Sequence, residues 1–359
     1  MNRTFWKDKK VFLTGHTGFK GSWLTFWLNL LEAEVSGYSL EPNTSPNLFS
    51  ILKIDNKSDS TFGNILDKNK LKAKINDFKP DIIFHMAAQP LVRESYSDPE
   101  TTYQTNVMGT LNLLEILRDL NETKVFINIT TDKCYENKEW LWSYRENEPL
   151  GGYDPYSSSK ACSELLTASY RDSFFKKSDS YTKAIATARA GNVIGGGDWS
   201  SDRLLPDFFR AISKKEQVII RNPNAIRPWQ HVLCPLHGYL LLAEKMFNNV
   251  NDYSNAWNFG PSEEDARNVQ WIINKLCTLA KLNNNYNLDR SSNHPHEATY
   301  LKLDCSKSRS MLNWNPHIKL DDALEMIHDW YQAFYDNDDM ELITKNQIDY
   351  FENIVKENS

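Results

Sequence analysis

Short apolar runs alternate with amphipathic stretches through the first half of the chain. The apolar runs are typical of buried strands, and they are KVFLTG, EVSGYS, STFGN, DIIFHMAA, KVFINIT and KAIATARAGNVI. Apolar residues recur at helical intervals in GSWLTFWLNLLEA, KNKLKAKINDF, TYQTNVMGTLNLLEILRDL and YSSSKACSELLTASYRDSFF. Strands that alternate with helices predict βαβ units around a parallel sheet. We therefore expect an α/β fold with a doubly wound parallel sheet.

The pattern becomes less regular after about residue 200. It predicts a strand in VIIRN and helices in LLPDFFRAISK, HGYLLLAEKMF, NVQWIINKLCTLAK, LDDALEMIHDWYQAFY and, at the end of the chain, MELITKNQIDYFENIVKE. Neither an internal repeat nor a low-complexity linker separates the two parts. We predict a first domain at residues 1–195 and a smaller, mixed α/β part at residues 196–359, packed closely on the first.

Composition narrows the class of protein. The chain has 359 residues, of which 40% are hydrophobic and 25% charged, enough for one large domain or two smaller ones with proper cores. No segment approaches the roughly 18 consecutive apolar residues of a membrane span. The N-terminus runs from charged residues directly into a strand, without the apolar stretch of a signal peptide. We therefore expect a soluble protein in the cytoplasm.

Cysteine usage and charge exclude further classes. The five cysteines are scattered and form no CxxC pair, which indicates free thiols rather than disulfides or a zinc site. A net charge of -6 without a sustained basic run argues against nucleic acid as the main partner. A small anionic ligand would need only two or three well-placed arginines.

A glycine motif, GHTGFKG, follows the first predicted strand and opens the first helix. Gly15, Gly18 and Gly21 would let the backbone turn tightly and approach a pyrophosphate at the helix N-terminus. The spacing departs from GxGxxG, so an ordinary βα turn explains it about equally well, but its place in a βαβ series favours a dinucleotide. Glu41 follows where an acidic side chain can bind the adenine ribose and favour NAD over NADP.

A tyrosine and a lysine four positions apart form the second motif. Tyr156 and Lys160 would share one helix face, and Pro155 suits the start of that helix. The ammonium and the positive end of the helix dipole should then lower the pKa of the phenol, so that the tyrosine can act as a base toward an alcohol. The same spacing also arises by chance on solvated helices. Convergence with the glycine turn at the carboxyl edge of the sheet favours the functional interpretation.

The third motif, TTDKCY, places an acid beside a base at the end of the buried strand KVFINI. Asp132 could simply cap a helix, or form a weak surface ion pair with Lys133. With Tyr156 and Lys160 downstream, we favour an acid and a base of an elimination reaction.

Taken together, these motifs resemble the extended short-chain dehydrogenase/reductase family over nearly the whole chain. The resemblance rests on GHTGFKG, HMAAQPLV, Asn106 in TNVMGT, TTDK, YSSSK, RAGNVIGGGDW, RPWQHV and LDCSKS. Thr131, Asp132 and Lys133 resemble the catalytic trio of nucleotide-sugar 4,6-dehydratases. A lysine, where the dTDP-glucose enzymes have a glutamate, is typical of the branch that acts on CDP-glucose. This implies a Rossmann-type fold and an NAD-dependent hydro-lyase that serves the synthesis of surface polysaccharides.

The resemblance also implies a role for each catalytic residue. Tyr156 would take the proton of the C4 hydroxyl, Lys160 would stabilise the phenolate and bond the nicotinamide ribose, and Thr131 would orient the C4 oxygen. Oxidation at C4 makes the C5 proton acidic, so that neutral Lys133 could remove it while protonated Asp132 donates to the departing C6 hydroxyl. Burial beside the nicotinamide cation and Lys160 would favour neutral Lys133. Return of the hydride to C6 would regenerate NAD, which should stay bound.

Binding residues follow from the same resemblance. The expected NAD contacts are Gly15, Thr17, Gly18, Phe19, Lys20, Gly21, Glu41, Asn64, Ile65, Ala87, Ala88, Gln89, Asn106, Tyr156 and Lys160. The expected substrate contacts are Asn192, Arg203, Arg221, Arg227, Glu297 and Tyr300. Guanidinium forks suit a diphosphate, although each arginine could equally lie on the solvated surface. His294 and His296 flank a proline without a clear third ligand, which is typical of a loop, so we predict no metal.

Two alternatives stay open. One is a related enzyme of the same fold, either a 4-epimerase or a dehydratase for another nucleotide; Asp132 argues against the epimerase. The other is a non-catalytic dinucleotide sensor, against which stands the presence of Asn106, Tyr156 and Lys160. Family members pair through the helices that follow the HMAAQ and TTDK strands, so the resemblance implies a homodimer or a dimer of dimers.

Overall fold

A seven-stranded parallel sheet forms the centre of the molecule. The computed structural model describes residues 1–178, 180–282, 286–289 and 300–358. The strands of the sheet are β1 (Lys10–Thr14), β2 (Glu34–Ser39), β3 (Asp59–Phe62), β4 (Ile82–His85), β5 (Val125–Ile129), β6 (Ala184–Ala190) and β7 (Ala256–Phe259). Their order is β7-β6-β5-β4-β1-β2-β3, and every neighbouring pair is parallel. The chain changes direction across the sheet between β1 and β4, which confirms the predicted doubly wound, Rossmann-type sheet.

Helices cover both faces of this sheet. The longer ones are α1 (Phe19–Leu30), α2 (Lys68–Phe78), α3 (Gly109–Asp119), α4 (Pro155–Phe174), α5 (Leu204–Ser213), α6 (Leu233–Asn248), α7 (Val269–Leu279), α8 (Ser306–Leu312), α9 (Leu320–Tyr335) and α10 (Met340–Glu357). Short α-helical segments span Arg3–Trp6, Leu48–Ile51, Val92–Ser97, Pro99–Tyr103 and Val250–Tyr253. A π-helical turn spans Gln104–Met108, and 3-10 turns span Ile54–Asn56, Asp132–Cys134 and Glu263–Asp265.

The apolar strand residues divide between two layers because successive side chains of a strand point to opposite faces. In β1, Val11 and Leu13 join one buried cluster, whereas Phe12 joins the other. The first cluster packs under α1, α6, α9 and α10, and the second packs under α2, α3 and α4. Strands buried on both faces explain the nearly continuous apolar runs of the sequence.

Small strand pairs lie outside the central sheet. Val218–Ile220 pairs with Tyr286–Leu288, and Ile226–Pro228 pairs with Ala266–Asn268. Val193–Ile194 pairs with Gln230–His231, so the predicted run KAIATARAGNVI is broken after Ala190. A further hairpin joins Lys176–Lys177 to Ser180–Tyr181.

Two features of the fold differ from the pattern-based prediction. Strand β7 was not predicted, and it adds residues of the second half of the chain to the central sheet. The predicted helix TYQTNVMGTLNLLEILRDL is interrupted by the π-helical turn before α3 begins.

The terminal helix α10 packs against the first helix of the sheet. The indole Nε1 of Trp27 donates to Glu352 Oε1 at 2.9 Å, and the rings of Trp27 and Phe351 meet edge to face. The last helix is therefore part of the core. Over the described residues, no helix has the length and apolar character that crossing a membrane would require.

Candidate active site

A cavity of about 1540 Å³ opens at the carboxyl edge of the sheet, over the switch between β1 and β4. Nearly all the predicted site residues line it: Gly15, Thr17, Gly18, Phe19, Lys20, Gly21, Glu41, Asn64, Ile65, Ala87, Ala88, Gln89, Thr131, Asp132, Lys133, Tyr156, Lys160, Asn192, Arg203, Arg221 and Arg227. Residues far apart in sequence thus converge because the ends of parallel strands meet at one edge of the sheet.

The glycine turn brings the N-terminus of α1 to this cavity. Gly15 has φ +76°, and a Cβ there would lie 2.7 Å from the backbone nitrogen of Ala87. A Cβ at Gly21 would lie 2.1 Å from the carbonyl oxygen of Gly15, so both positions require glycine. The Thr17 hydroxyl donates to the Leu40 carbonyl at 2.9 Å and fixes the turn against the end of β2. A tight turn that opens a helix suits the pyrophosphate of a dinucleotide.

Asn106, which we predicted as a cofactor contact, does not line the cavity. It is buried, and its Oδ1 accepts from the Gln89 backbone N–H at 2.9 Å. Its Nδ2 donates to the Gln89 carbonyl at 3.1 Å and to Ser159 Oγ at 2.9 Å. Asn106 therefore acts on the cavity through Gln89, whose side chain lines it. Both polar atoms of the Asn106 side chain are thus engaged by Gln89 and Ser159, and the π-helical turn that contains Asn106 was not indicated by the sequence pattern.

Helix α4 begins with the cap that its sequence suggests. Asp154 Oδ1 accepts from the Ser157 backbone N–H at 2.9 Å, and Pro155 occupies the first turn. Tyr156 follows immediately and is 8% exposed. Lys160 lies one turn further along the helix, and its Nζ donates to the Ile129 carbonyl at 3.3 Å. The capped helix therefore places both side chains beside the end of β5.

The predicted lowering of the Tyr156 pKa is wrong for this structure. Burial raises the pKa of Tyr156 to about 12, and the nearby Thr131 side chain opposes this effect only partly. Lys160 directs its ammonium to the Ile129 carbonyl, and burial lowers the pKa of Lys160 to about 8 despite the nearby Glu164 carboxylate. The spacing of Tyr156 and Lys160 indicates that they share a helix face, but it does not indicate that loss of solvation dominates the pKa of both groups.

Thr131 and Asp132 form a buried polar pair directly after β5. The Thr131 hydroxyl donates to Asp132 Oδ1 at 2.9 Å, and Thr131 lies close enough to Tyr156 to lower the pKa of its phenol against the effect of burial. Asp132 is 2% exposed, and its Oδ2 has no hydrogen-bond partner among the described residues. Lys133 is half-buried in the same 3-10 turn and lines the cavity. The phenol, the hydroxyl and the carboxyl thus form a continuous polar surface at the cavity wall.

Cations lie around this polar surface. Burial, followed by the nearby Lys160 and Arg203, lowers the pKa of Lys20 to about 7, although Asp132 opposes this effect. Lys20 lies in the first turn of α1, where the helix dipole also disfavours a positive charge. Its ammonium is therefore only partly charged near neutral pH.

The predicted arginines border the part of the cavity formed by the second half of the chain. Arg203 pairs with Asp198 at 2.8 Å, and Arg221 pairs with Asp202 at 3.0 Å. Asp202 also pairs with Arg93 at 3.3 Å. Sequence analysis missed Arg93 and Asp202, because nothing in the spacing of HMAAQPLVRES marks that arginine as facing the cavity.

The other residues considered as substrate or metal contacts differ in their relation to the cavity. Arg227 is 9% exposed, and its Nη1 donates to the Ile226 carbonyl at 3.3 Å. Tyr300 does not line the cavity; its hydroxyl donates to the Leu141 carbonyl at 3.4 Å. Glu297, His294 and His296 lie outside the described residues.

Comparison with known proteins shows that this chain is similar to enzymes that act on sugar nucleotides. The family model described as GDP-mannose 4,6 dehydratase matches residues 12–327. CDP-glucose 4,6-dehydratase of Salmonella typhimurium is 51% identical over 350 residues, which cover 97% of this chain and 97% of that protein.

Solved structures with the same fold are more distant in sequence. UDP-glucose 4-epimerase of Thermotoga maritima, crystallised with UDP-glucose, has a TM-score of 0.79 at 19% identity and covers 90% of this chain and 99% of its own. The dTDP-glucose 4,6-dehydratase of Bacillus anthracis, in complex with NAD, has a TM-score of 0.75 at 20% identity and covers 90% and 97%. At this identity the likeness shows the fold alone.

Proposed function

The chain belongs to the family described as GDP-mannose 4,6 dehydratase, and on that premise we propose that it is an NAD-dependent nucleotide-sugar 4,6-dehydratase that acts on CDP-glucose. The relative with 51% identity carries that activity in its name and matches 97% of this chain. The product would be CDP-4-dehydro-6-deoxyglucose.

One observation carries the proposal at the level of chemistry. Thr131 donates its hydroxyl to Asp132, the candidate acid for a leaving hydroxyl, and lies close enough to Tyr156, the candidate base for an alcohol, to lower the pKa of that phenol against burial. A simple dehydrogenase needs the base but not the acid. Their proximity supports a reaction that oxidises one carbon of a sugar and removes water at a nearby carbon.

The side chains divide the reaction between them. Because burial raises the pKa of Tyr156, its phenolate would need nearby cations, which Lys160 and the bound cofactor would supply. The phenolate would then take the proton of the C4 hydroxyl, and Thr131 would orient that oxygen. The C4 ketone makes the C5 proton acidic, so that Lys133 can remove it while Asp132 protonates the C6 hydroxyl, which leaves as water. Lys133 then returns a proton to C5.

The cavity also suits the cofactor. NAD, when bound, supplies a hydride acceptor for C4 and the hydride that is later returned to C6. The glycine turn, Gln89 and Lys160 would hold it, because a close backbone approach at a helix N-terminus fits a pyrophosphate and an ammonium fits ribose hydroxyls. The chain itself undergoes no net oxidation, so turnover requires no added reductant.

Three arginines at the cavity would recognise the substrate. Arg203, Arg221 and Arg227 line the cavity and come from the second half of the chain. A guanidinium can form paired hydrogen bonds with phosphate oxygens, which suits the diphosphate of a sugar nucleotide.

We also propose that the protein forms a homodimer through α4 and the segment before α3. Leu165 is 58% exposed, Phe174 45% and Met108 47%, so this surface presents large apolar side chains. Leu165→Glu should convert a dimer to a monomer in sedimentation analysis. Leu342→Glu, at a comparably exposed position on α10 (52%), should leave the dimer intact. A monomeric wild-type protein would contradict the proposal.

Mass spectrometry of reaction products tests the proposed activity. The purified protein is incubated separately with CDP-, dTDP-, GDP- and UDP-glucose and with GDP-mannose, without added reductant. We expect loss of one water from CDP-glucose alone. Loss from another nucleotide sugar would overturn the substrate, and the absence of any water loss would overturn the reaction.

A further inference from the structure

A buried carboxylate lies one helical turn beyond Lys160. Glu164 follows Tyr156 and Lys160 at successive intervals of four residues, so the three side chains share one face of α4. Glu164 is 2% exposed and does not line the cavity. It cannot touch the substrate from this position, yet it is a charged group behind the proposed catalytic pair.

Hydrogen bonds join this carboxylate to two strands of the sheet. Oε1 accepts from the Thr130 hydroxyl, and Oε2 accepts from the Thr187 hydroxyl at 2.7 Å and from Arg189 Nη2 at 2.7 Å. Thr130 directly precedes Thr131 and Asp132. Glu164 therefore connects α4, which carries Tyr156 and Lys160, to the strand end that carries the other catalytic groups.

The carboxylate of Glu164 acts on two buried cations, Arg189 and Lys160. Glu164 and Arg189 are both almost completely buried and form an ion pair at 2.7 Å. Arg189 Nη1 has further acceptors in the Tyr135 hydroxyl at 2.8 Å and the Glu146 carbonyl at 3.1 Å. Arg189 is thus held by neutral groups as well, and the field of Glu164 is also felt by Lys160.

The groups facing Lys160 come from several elements. In the described part of the chain they are Glu164 on α4, Cys134 after β5, His85 on β4 and Lys20 on α1. Burial keeps His85 neutral by lowering its pKa to about 3, and burial raises the pKa of the Cys134 thiol far above its usual value. Glu164 is the carboxylate in this set, and it opposes the lowering of the Lys160 pKa by burial.

We propose that Glu164 is a positioning residue of the dehydration reaction, which holds Lys160 in its charged form and fixes α4 against the strand end that carries Thr131 and Asp132. This assignment rests on the proposed function, because that function requires a charged Lys160 beside Tyr156. The effect is exerted through Lys160 and the backbone, without contact to the substrate.

The pH dependence of turnover tests this role. Lys160 loses its proton as the pH rises, so it sets an alkaline limb of the rate profile. Glu164→Gln keeps the shape of the side chain but removes its charge, which lowers the pKa of Lys160 further. We expect the alkaline limb of kcat/KM to move to lower pH by about one unit. A purely structural residue would lower the rate without moving the limb.

Two further variants keep the test valid if Glu164→Gln folds poorly. Glu164→Gln combined with Arg189→Met removes both buried charges and leaves none unpaired, and it should move the limb in the same direction by a smaller amount, because the loss of the Arg189 cation acts the opposite way. Glu146→Gln changes another largely buried carboxyl, one that accepts from the Asn258 N–H at 3.0 Å, and it should not move the limb. A wild-type limb in the folded double variant would overturn the proposal.

A measurement of NAD binding distinguishes a failure of the Glu164 proposal from a failure of the proposed activity. The dissociation constant for NAD, measured calorimetrically against pH, requires no sugar nucleotide. In the Glu164→Gln and double variants, binding should weaken at a lower pH than in the wild type. If the wild type does not dehydrate CDP-glucose but this shift is seen, the proposed reaction is wrong, whereas the effect of Glu164 on the charge of Lys160 stands. If dehydration occurs and neither profile shifts, the role of Glu164 is wrong.

Discussion

At the scale of single residues, Asp132 is the proposed acid of the dehydration, and one of its oxygen atoms is available for that role. Its Oδ2 is buried without a hydrogen-bond partner among the described residues, while Oδ1 accepts from Thr131. A buried acceptor without a partner costs about 1–3 kcal/mol. That cost is explained if Oδ2 faces the hydroxyl that leaves the substrate, because a catalytic group must keep one atom available.

Asp132→Asn tests this explanation with almost no change of shape. The amide cannot donate a proton to the departing hydroxyl as an acid does, so the dehydration rate should fall by about 100-fold or more. The free energy of unfolding in urea should not decrease, because a desolvated carboxyl has been removed. An unchanged rate of water loss, followed by mass spectrometry, would show that Asp132 is not the acid.

Residue spacing predicted which groups meet but not their protonation. The intervals between Tyr156 and Lys160, and the position of Thr131 and Asp132 after an apolar strand, were sufficient to place all four at one cavity. The pKa of Tyr156 depends on depth and on the direction of the Lys160 ammonium, which points to the Ile129 carbonyl. Helical periodicity predicts neither the burial depth of Tyr156 nor the direction of the Lys160 ammonium. The same interval of four residues continues from Lys160 to Glu164, so the sequence also indicates that Glu164 shares this helix face.

At the scale of elements, the N-terminal cap of α4 has more influence on the position of Tyr156 than the length of the helix has. The Asp154 carboxylate accepts from the Ser157 N–H at 2.9 Å and from the Ser157 hydroxyl at 2.6 Å, and Tyr156 lies between them in sequence. The same kind of cap starts α2, where Asp67 accepts from the Lys70 N–H at 3.0 Å, and Asp67 does not line the cavity.

These two caps give a matched pair of variants. Asp154→Ala and Asp67→Ala should each lower the free energy of unfolding in urea by about 1 kcal/mol. Only Asp154→Ala should also reduce kcat, because it loosens the turn that holds Tyr156. Equal kcat values for the two variants would mean that the cap has no part in placing the tyrosine.

The elements that the pattern missed are short or irregular. Strand β7 contains only AWNF, too few residues for an alternating pattern to be recognised, and its place in the sheet is set by pairing with β6. The π-helical turn needs one extra residue per turn, which periodicity averages away. The long, periodic segments were predicted correctly because burial on one face dominates their composition.

At the scale of the whole molecule, buried histidines make stability depend on pH. Burial lowers the pKa of His16 to about 4 and those of His85, His231 and His237 to about 3. In the unfolded chain each has a pKa of about 6.5. Below that value the unfolded chain binds protons that the folded chain does not, so stability is complete above about pH 6.5 and is lost as the pH falls toward the folded pKa values.

Urea unfolding at about pH 7 and about pH 5 measures this effect. Each histidine should contribute a loss of up to about 1.4 kcal/mol per pH unit. His231→Gln should reduce the difference between the two conditions. Thr25→Val removes another buried polar atom without a hydrogen-bond partner among the described residues, and it should leave that difference unchanged. A pH-independent free energy of unfolding in the wild type would contradict this prediction.

The internal transfer of hydrogen is the most direct test of the proposed chemistry. CDP-glucose that carries deuterium at C4 of the sugar is incubated with the purified protein, and the product is examined by mass spectrometry and NMR. The account predicts a product that has lost one water and has kept the deuterium, which now lies in the C6 methyl group. A product without deuterium, or a substrate that keeps its water, would contradict it.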